Sequence, residues 1–258
     1  MALKILALGD VCGSAGLDHI SRKLWGLRRL YGADFVVANG ENASGNGITP
    51  SQARELFDSG VDVITLGNHA LHRREIVSFL DDEPHIVRPA NWPVGAPGMG
   101  YTIYDTGRFR ICVVNLIGRV DLPPGPANPF DVIDQILEKQ KDRADLFVVD
   151  FHAEATSEKN AMAYHLDGRA AVLFGTHTHV QTADERVFPS GLGYITDLGM
   201  TGAADSVIGV QWEKSLAFFR GDMLVRFEES RRRPRIQGAL FTLSDQGKCE
   251  SVERISVE

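Results

Sequence analysis

The chain has 258 residues, 43% of them apolar and 24% charged, and a formal net charge of −7. That length and balance fit one globular α/β domain and exclude a chain that needs disulfides or a metal merely to fold. The acidic balance argues against a broad nucleic-acid-binding face, but it admits a small phosphorylated substrate whose charge is met by metal ions. The three cysteines, Cys12, Cys112 and Cys249, have neither disulfide nor zinc spacing. No signal-peptide pattern opens the chain and no apolar run is long enough to span a bilayer. These features predict a cytoplasmic protein with no membrane contact.

In chain order, Leu3–Leu8 (LKILAL) is an apolar run of strand length, ended by Gly9-Asp10. Residues 21–31 place Leu24, Leu27 and Tyr31 at helical spacing. The run FVVAN (35–39) ends in Gly40-Glu41-Asn42. Thr49-Pro50-Ser51-Gln52 predicts a helix start, with Thr49 as N-cap, Pro50 at N1 and Gln52 closing a capping box; that helix stops near Gly60. VDVITL (61–66) ends in Gly67-Asn68-His69. Residues 101–104 and 110–115, split by Thr106-Gly107, predict a hairpin. A Pro-rich loop follows at 121–129 and a helix near 130–141. LFVVDF (146–151) ends in His152, and AAVLFG (170–175) ends in Thr176-His177-Thr178-His179. The last sixty residues predict mixed strands, with 223–227 and 236–243 as an antiparallel pair. The alternation of buried strand, loop and helix is that of an α/β protein, and no linker divides the chain.

Asp10, Glu41, Asn42, Asn68, His69, His152, His177 and His179 share one placement, at or just beyond the end of an apolar run. In α/β sheets, ligands collect in the crevice outside the carboxyl ends of strands. Each residue also has an ordinary structural reading. Asp10 suits a cap, Glu41-Asn42 a turn, Asn68-His69 the start of a helix, and His152 a satisfied polar core group. His177-x-His179 puts both imidazoles on one face of an extended segment. The shared placement argues for the joint reading. Carboxylate oxygens, amide oxygens and imidazole nitrogens together suit iron, manganese or zinc better than calcium or magnesium. One carboxylate can bridge two ions ~3.5–4 Å apart, and such a pair brings a bound water toward a pKa of ~7, giving a hydroxide nucleophile for phosphoryl transfer.

The string GD…GEN…GNH…H…GTHTH resembles the calcineurin-like metallophosphoesterase superfamily. LGDVCGSAG (8–16), VVANGENASGNGIT (36–49), TLGNH (65–69), RPANWP (88–93), VDFHAEATSEK (149–159), FGTHTHVQTAD (174–184) and YITDLGMTG (194–202) narrow the resemblance to the YmdB-like cyclic-nucleotide phosphodiesterases. The resemblance implies two mixed β-sheets packed face to face with helices outside, an α-β-β-α sandwich. It implies two metal ions, iron or manganese, with Asp10, Glu41, Asn42 and His179 around the first. Glu41, Asn68, His152 and His177 surround the second, Glu41 bridges, and His69 gives a proton to the leaving oxygen. The implied substrates are small nucleotides, 2′,3′-cyclic nucleotides among them. Many relatives in the wider superfamily carry a His where Cys12 stands and an acidic residue where Ala70 stands. Both departures fit the narrower family, whereas Ala70-Leu71-His72 replaces its common aromatic and acidic pair. His72 reads as a solvated residue or as a partner of the metal ligands. Two other functions share these residues: a phosphomonoesterase, and a metal-binding regulatory protein with little turnover. A homo-oligomer is compatible with the sequence.

Three further signals stand apart. Trp92, in the Pro/Gly-rich stretch 89–98, reads either as core packing or as a surface on which a base stacks. Arg231-Arg232-Arg233 with Arg235 reads as a solvated basic run. Cys12 reads as an inert buried thiol lying near the metals.

Overall fold

The computed structural model describes residues 2–122 and 126–258. Parallel strands β1 (Leu3–Leu8), β3 (Phe35–Asn39), β4 (Val63–Thr65) and β5 (Ile86–Val87) lie side by side. β13 (Pro234–Leu243) runs antiparallel to β1, with Ile5 opposite Phe241, and pairs on its other edge with β14 (Cys249–Val257). β12 (Met200–Ala203) continues along β13 and pairs in parallel with β2 (Asp10–Val11), completing an eight-stranded sheet among the described residues. In the second sheet, of six strands, β7 (Arg110–Ile117), β8 (Leu146–His152), β9 (Val172–Thr176) and β11 (Gly193–Ile195) are parallel. β6 (Tyr101–Asp105) closes one edge as the predicted hairpin, and β10 (Arg186–Val187) the other.

Strand periodicity assigns each side chain to a layer. Ile5, Ala7, Phe35, Val37 and Val63 of the first sheet meet Ile111, Val113, Val148, Val172 and Phe174 of the second in one inter-sheet core. The alternate residues Leu6, Leu8, Val36, Ala38 and Ile64 point outward, under α1 (Gly13–Tyr31), α2 (Pro50–Asp58) and α3 (Ile76–Asp82). Cys112, Val114, Val149 and Phe151 lie under α4 (Pro129–Gln140) and α5 (Thr156–Leu166). Strands covered on both faces read as near-continuous apolar runs, which is why five of them are visible in the sequence. The result is the expected α-β-β-α sandwich of two mixed sheets. Among the described residues no helix is long and apolar enough to cross a membrane.

Local chemistry sets several boundaries as expected. Thr49 accepts from the Gln52 backbone N–H, and the Gln52 side chain accepts from the Thr49 N–H at 3.0 Å, closing the capping box ahead of α2. Asn128 caps α4 by accepting from Phe130 N–H at 3.1 Å, with Pro129 in the first turn. Residues 123–125 of the expected Pro-rich loop lie outside the described residues, and Pro129 belongs to α4.

Other expectations need correction. α1 begins at Gly13, not near residue 21. Its first turns are poor helix formers held by tertiary contact: a Cβ on Gly16 would lie 2.3 Å from the Thr201 carbonyl oxygen, so only glycine lets the helix approach β12 this closely. Residues 223–227 form no strand and do not pair with residues 236–243. Both edges of β13 are already taken, one by β1 and β12 and the other by β14. Residues 223–227 instead follow α6 (Trp212–Phe219), with Met223 and Leu224 in solvent. The basic run is neutralised at two of its four arginines, since Arg232 pairs with Glu213 and Arg233 with Asp205 and Glu258.

Candidate metal centre

The parallel strands of both sheets deliver their carboxyl ends to one rim. β1 leads through Gly9 to Asp10, β3 to Glu41 and Asn42, and β4 to Asn68 and His69. β8 ends at His152, and β9 leads to His177 and His179. Direct contacts join all eight side chains or their backbones into one cluster.

His152 is its hub. Its Nδ1 lies 2.9 Å from the Thr176 hydroxyl, which turns Nε2 inward. Around Nε2 stand Glu41 Oε1 at 3.1 Å, Asn68 Oδ1 at 2.8 Å and His177 Nδ1 at 3.0 Å. Ligand atoms of Glu41, His152 and His177 all fall within 4.8 Å of one another. Gly67 makes the room. A Cβ there would sit 2.5 Å from both Glu41 Oε2 and His152 Nε2.

Asp10 and His179 form the second half. Asp10 Oδ2 accepts from the His177 backbone N–H at 3.1 Å, while Oδ1, fully buried, has no hydrogen-bond partner among the described residues. His179 Nε2 lies 3.7 Å from Asp10 Oδ1 and 3.2 Å from Asn42 Nδ2. His179 Nδ1 faces the Ile208 carbonyl at 3.2 Å, so donation there leaves Nε2 free as a ligand. Asn42 Oδ1 lies 2.9 Å from His69 Nδ1. A half-turn of the amide about Cβ–Cγ exchanges its oxygen and nitrogen between His69 and His179. His177, His179 and Ile208 have φ of 101°, 63° and 46°. Non-glycine residues in this region are rare and concentrate at functional sites.

The electrostatics follow from packing ionisable groups out of water. Burial pushes the Glu41 carboxyl up, but His152 and His69 beside it prevail and hold it well below the usual carboxylate range. Burial alone would lower His152; Glu41, Asp10 and Asp150 outweigh it and raise the imidazole to about 9. His177 is lowered to about 3, first by burial and then by His152. Burial raises Asp10, against the pull of His179 and His152. Buried carboxylates and imidazoles at such short range are expensive unless hydrogen-bonded, protonated or ligating a cation. The unpartnered Asp10 oxygen, the Gly67 cradle and the mixed N/O donor set all fit transition-metal ions.

Sequence reasoning assigned no role to the groups beneath this cluster. Asp150 accepts from Thr176 Oγ1 at 2.7 Å, from Asn39 Nδ2 at 3.1 Å and from the Thr65 hydroxyl, so it ties the two sheets together below the site. Its signal was an acid two residues before His152 within an apolar strand, on the same strand face. Lys159, buried in α5, donates to the Thr176 carbonyl at 2.9 Å and to Asp197 Oδ2 at 2.8 Å. Its signal was a lysine on the stripe formed by Met162, Ala163 and Leu166. Glu154 Oε2 lies 3.1 Å from His177 Nε2.

His72 is exposed, and its ring centroid lies 4.8 Å from that of His69. Cys12 is buried 3.6 Å from His179 Nδ1, with its thiol pushed far above the ordinary value by burial and the neighbouring acids. Trp92 packs partly against the core under the first sheet.

Comparison with known proteins agrees with this architecture. A Bacillus subtilis (strain 168) protein called 2′,3′-cyclic-nucleotide 2′-phosphodiesterase is 42% identical over 257 residues, covering 99% of this chain and 97% of that one. The crystal structure of a hypothetical protein from Thermus thermophilus superposes with a TM-score of 0.92 at 37% identity, covering 98% of each chain. That of a novel phosphatase from Mycoplasma pneumoniae gives 0.93 at 35% identity, covering 100% of this chain and 94% of that one. The family model described as YmdB-like protein matches residues 6–255. A match of that extent takes in every strand end that lines the candidate metal centre, and the chain belongs to the YmdB-like protein family.

Proposed function

We propose that this chain is a two-metal phosphodiesterase that hydrolyses small nucleotides, 2′,3′-cyclic nucleotides first among them. The observation that carries the reading is the convergence of Glu41, Asn68 and His177 on Nε2 of His152, in a chain 42% identical to a protein named for that activity. Asp10, Asn42 and His179 would hold one ion, Asn68, His152 and His177 the other, with Glu41 between them. Iron or manganese suits these donors best. When bound, the ions supply positive charge for the phosphoryl oxygens and an activated water at neutral pH.

The chain's own residues do the rest. Thr176 and the Ile208 carbonyl fix the ring orientations of His152 and His179, so each presents Nε2. Asp150, Thr65 and Asn39 hold Thr176 and the strand ends in place. His69, with its side chain 23% exposed, faces the open side of the cluster. Its Nδ1 is held by Asn42 Oδ1 at 2.9 Å and by Glu41 Oε1 at 3.3 Å, leaving Nε2 to carry the transferable proton. In a 2′,3′-cyclic nucleotide that proton goes to the ribose O2′ as the P–O2′ bond breaks, and the product is a nucleoside 3′-monophosphate.

The test is incubation of the full chain, loaded with manganese or iron, with 2′,3′-cyclic AMP. Chromatography should show 3′-AMP appearing as substrate disappears. Failure to cleave this ester and the model diester bis-p-nitrophenyl phosphate would overturn the reading. The Mycoplasma pneumoniae relative's description as a phosphatase favours a second reading, hydrolysis of monoesters by the same groups. Faster turnover of p-nitrophenyl phosphate than of its bis ester would select it.

A further inference from the structure

The stretch RPANWP contributes nothing to the metal centre, yet it lines a cavity of about 400 Å³. Its walls include Arg88, Trp92, Met99, Tyr101, Gln135 and Lys139, and none of the eight residues of the metal centre is among them. That volume is in the range of small-molecule sites. In a chain of net charge −7, the lining contains two cations and no acid.

Arg88 is the informative group. Its guanidinium is half-buried and its pKa is lowered by burial, with no charged neighbour among the described residues offsetting the cost. It donates from Nη1 to the Pro89 carbonyl at 2.8 Å, from Nη2 to Ala96 at 3.3 Å and from Nε to Pro97 at 3.4 Å. These carbonyls hold the fork still but leave N–H groups unused and the charge uncompensated. Half-buried charges are ordinarily paired, and a fixed guanidinium fork matches phosphate. Lys139, exposed in the last turn of α4, makes no ion pair among the described residues and adds a second cation. Trp92 and Tyr101 offer aromatic surface beside these charges, and Gln135 offers an amide for a base edge.

We propose that this cavity is a second ligand site, separate from the metal centre, for a nucleoside monophosphate. The phosphate lies between Arg88 and Lys139, and the base lies against Trp92.

Calorimetric titration of the full chain, as purified with its metals, tests the site with AMP as probe. The expected result is a saturable class of AMP sites that Lys139→Glu weakens by about tenfold or more. Because Lys139 is exposed and outside the metal centre, that variant should fold and hydrolyse bis-p-nitrophenyl phosphate like the wild type. Arg88→Gln should weaken the same class. Adenosine and inorganic phosphate should each bind this class at least about tenfold more weakly than AMP, since each keeps only part of the recognition. An AMP isotherm that Lys139→Glu leaves unchanged overturns the site. Phosphate binding as tightly as AMP overturns the nucleotide, and adenosine binding as tightly as AMP overturns the anion.

Discussion

The Lys159 ammonium lies 2.8 Å from the Asp197 carboxylate with both side chains sealed from solvent, and the pair grips the loop that carries His177 and His179. Lys159 also donates to the Thr176 carbonyl at 2.9 Å, and Asp197 Oδ2 accepts from the Thr178 backbone N–H at 3.2 Å. The clamp therefore holds the backbone on both sides of His177, whose φ of 101° is unfavourable for a side-chain-bearing residue. Lys159→Met would leave Asp197 buried without its cation. A loss of about 3–5 kcal/mol in urea unfolding is expected, together with weaker metal retention because the two imidazoles lose their fixed positions. A stability within about 1 kcal/mol of wild type, the scale of an exposed pair, would show that the clamp is unimportant.

Gly67→Ala isolates space from backbone strain. Gly67 is not among the residues with positive φ, so alanine suits its backbone. The added methyl carbon would lie 2.5 Å from Glu41 Oε2 and His152 Nε2 and must push them apart. A destabilisation of about 1–3 kcal/mol is expected from overpacking. Metal per chain, measured by elemental analysis after gel filtration, should fall. Full metal stoichiometry in this variant would place the ions elsewhere.

His69→Asn tests proton donation. Turnover of 2′,3′-cyclic AMP should fall by about 10²–10⁴-fold with metal content unchanged. The loss on bis-p-nitrophenyl phosphate should be far smaller, because nitrophenolate leaves without needing a proton. Equal losses on the two substrates would argue that His69 positions other groups instead.

The metal-free chain should respond to pH in a definite direction. Its His152, raised to about 9 from an ordinary 6.5, holds a proton in the folded state that the unfolded chain gives up across that window. The stability this contributes is full below pH 6.5 and is lost as pH rises through about 9. His177, lowered to about 3, acts only below 6.5 and with the opposite slope. With His152 as a ligand, as proposed, metal uptake expels its proton, so apparent affinity should rise with pH up to about 9. Urea melts of chelator-treated protein at pH 6.5 and 9, with a competition assay for the metal, measure both effects. Greater stability of the metal-free chain at the higher pH would contradict the charged His152–Glu41 pair.

Much of the architecture was readable because buried parallel strands have no polar face. Leu3–Leu8 and the runs around residues 35–39 and 146–151 stand out as predominantly apolar segments, and the Thr49–Gln52 box marks its helix by local hydrogen bonds alone. Where pairing is decided by non-local competition, the signal failed. Residues 223–227 are apolar enough for a strand, but β1, β12 and β14 take the two edges of β13. Lys159 was visible as a lysine within a resembling motif, yet its burial depends on Asp197, thirty-eight residues further along the chain.

The sequence by itself determined that polar, metal-suited side chains stand at the ends of five apolar strands, since strand length and composition are local properties of the chain. Only the tertiary structure decided which of their atoms meet. The convergence on His152 Nε2, the Asp10 oxygen without a hydrogen-bond partner among the described residues and the close approach of Glu41 and His152 to Gly67 depend on two sheets stacking with their carboxyl ends on one side. The same holds for Arg88, whose partners among the described residues are backbone carbonyls and not a carboxylate, which is a fact of packing. Whether a charge is solvated, paired or left facing a cavity depends on every segment that folds around it.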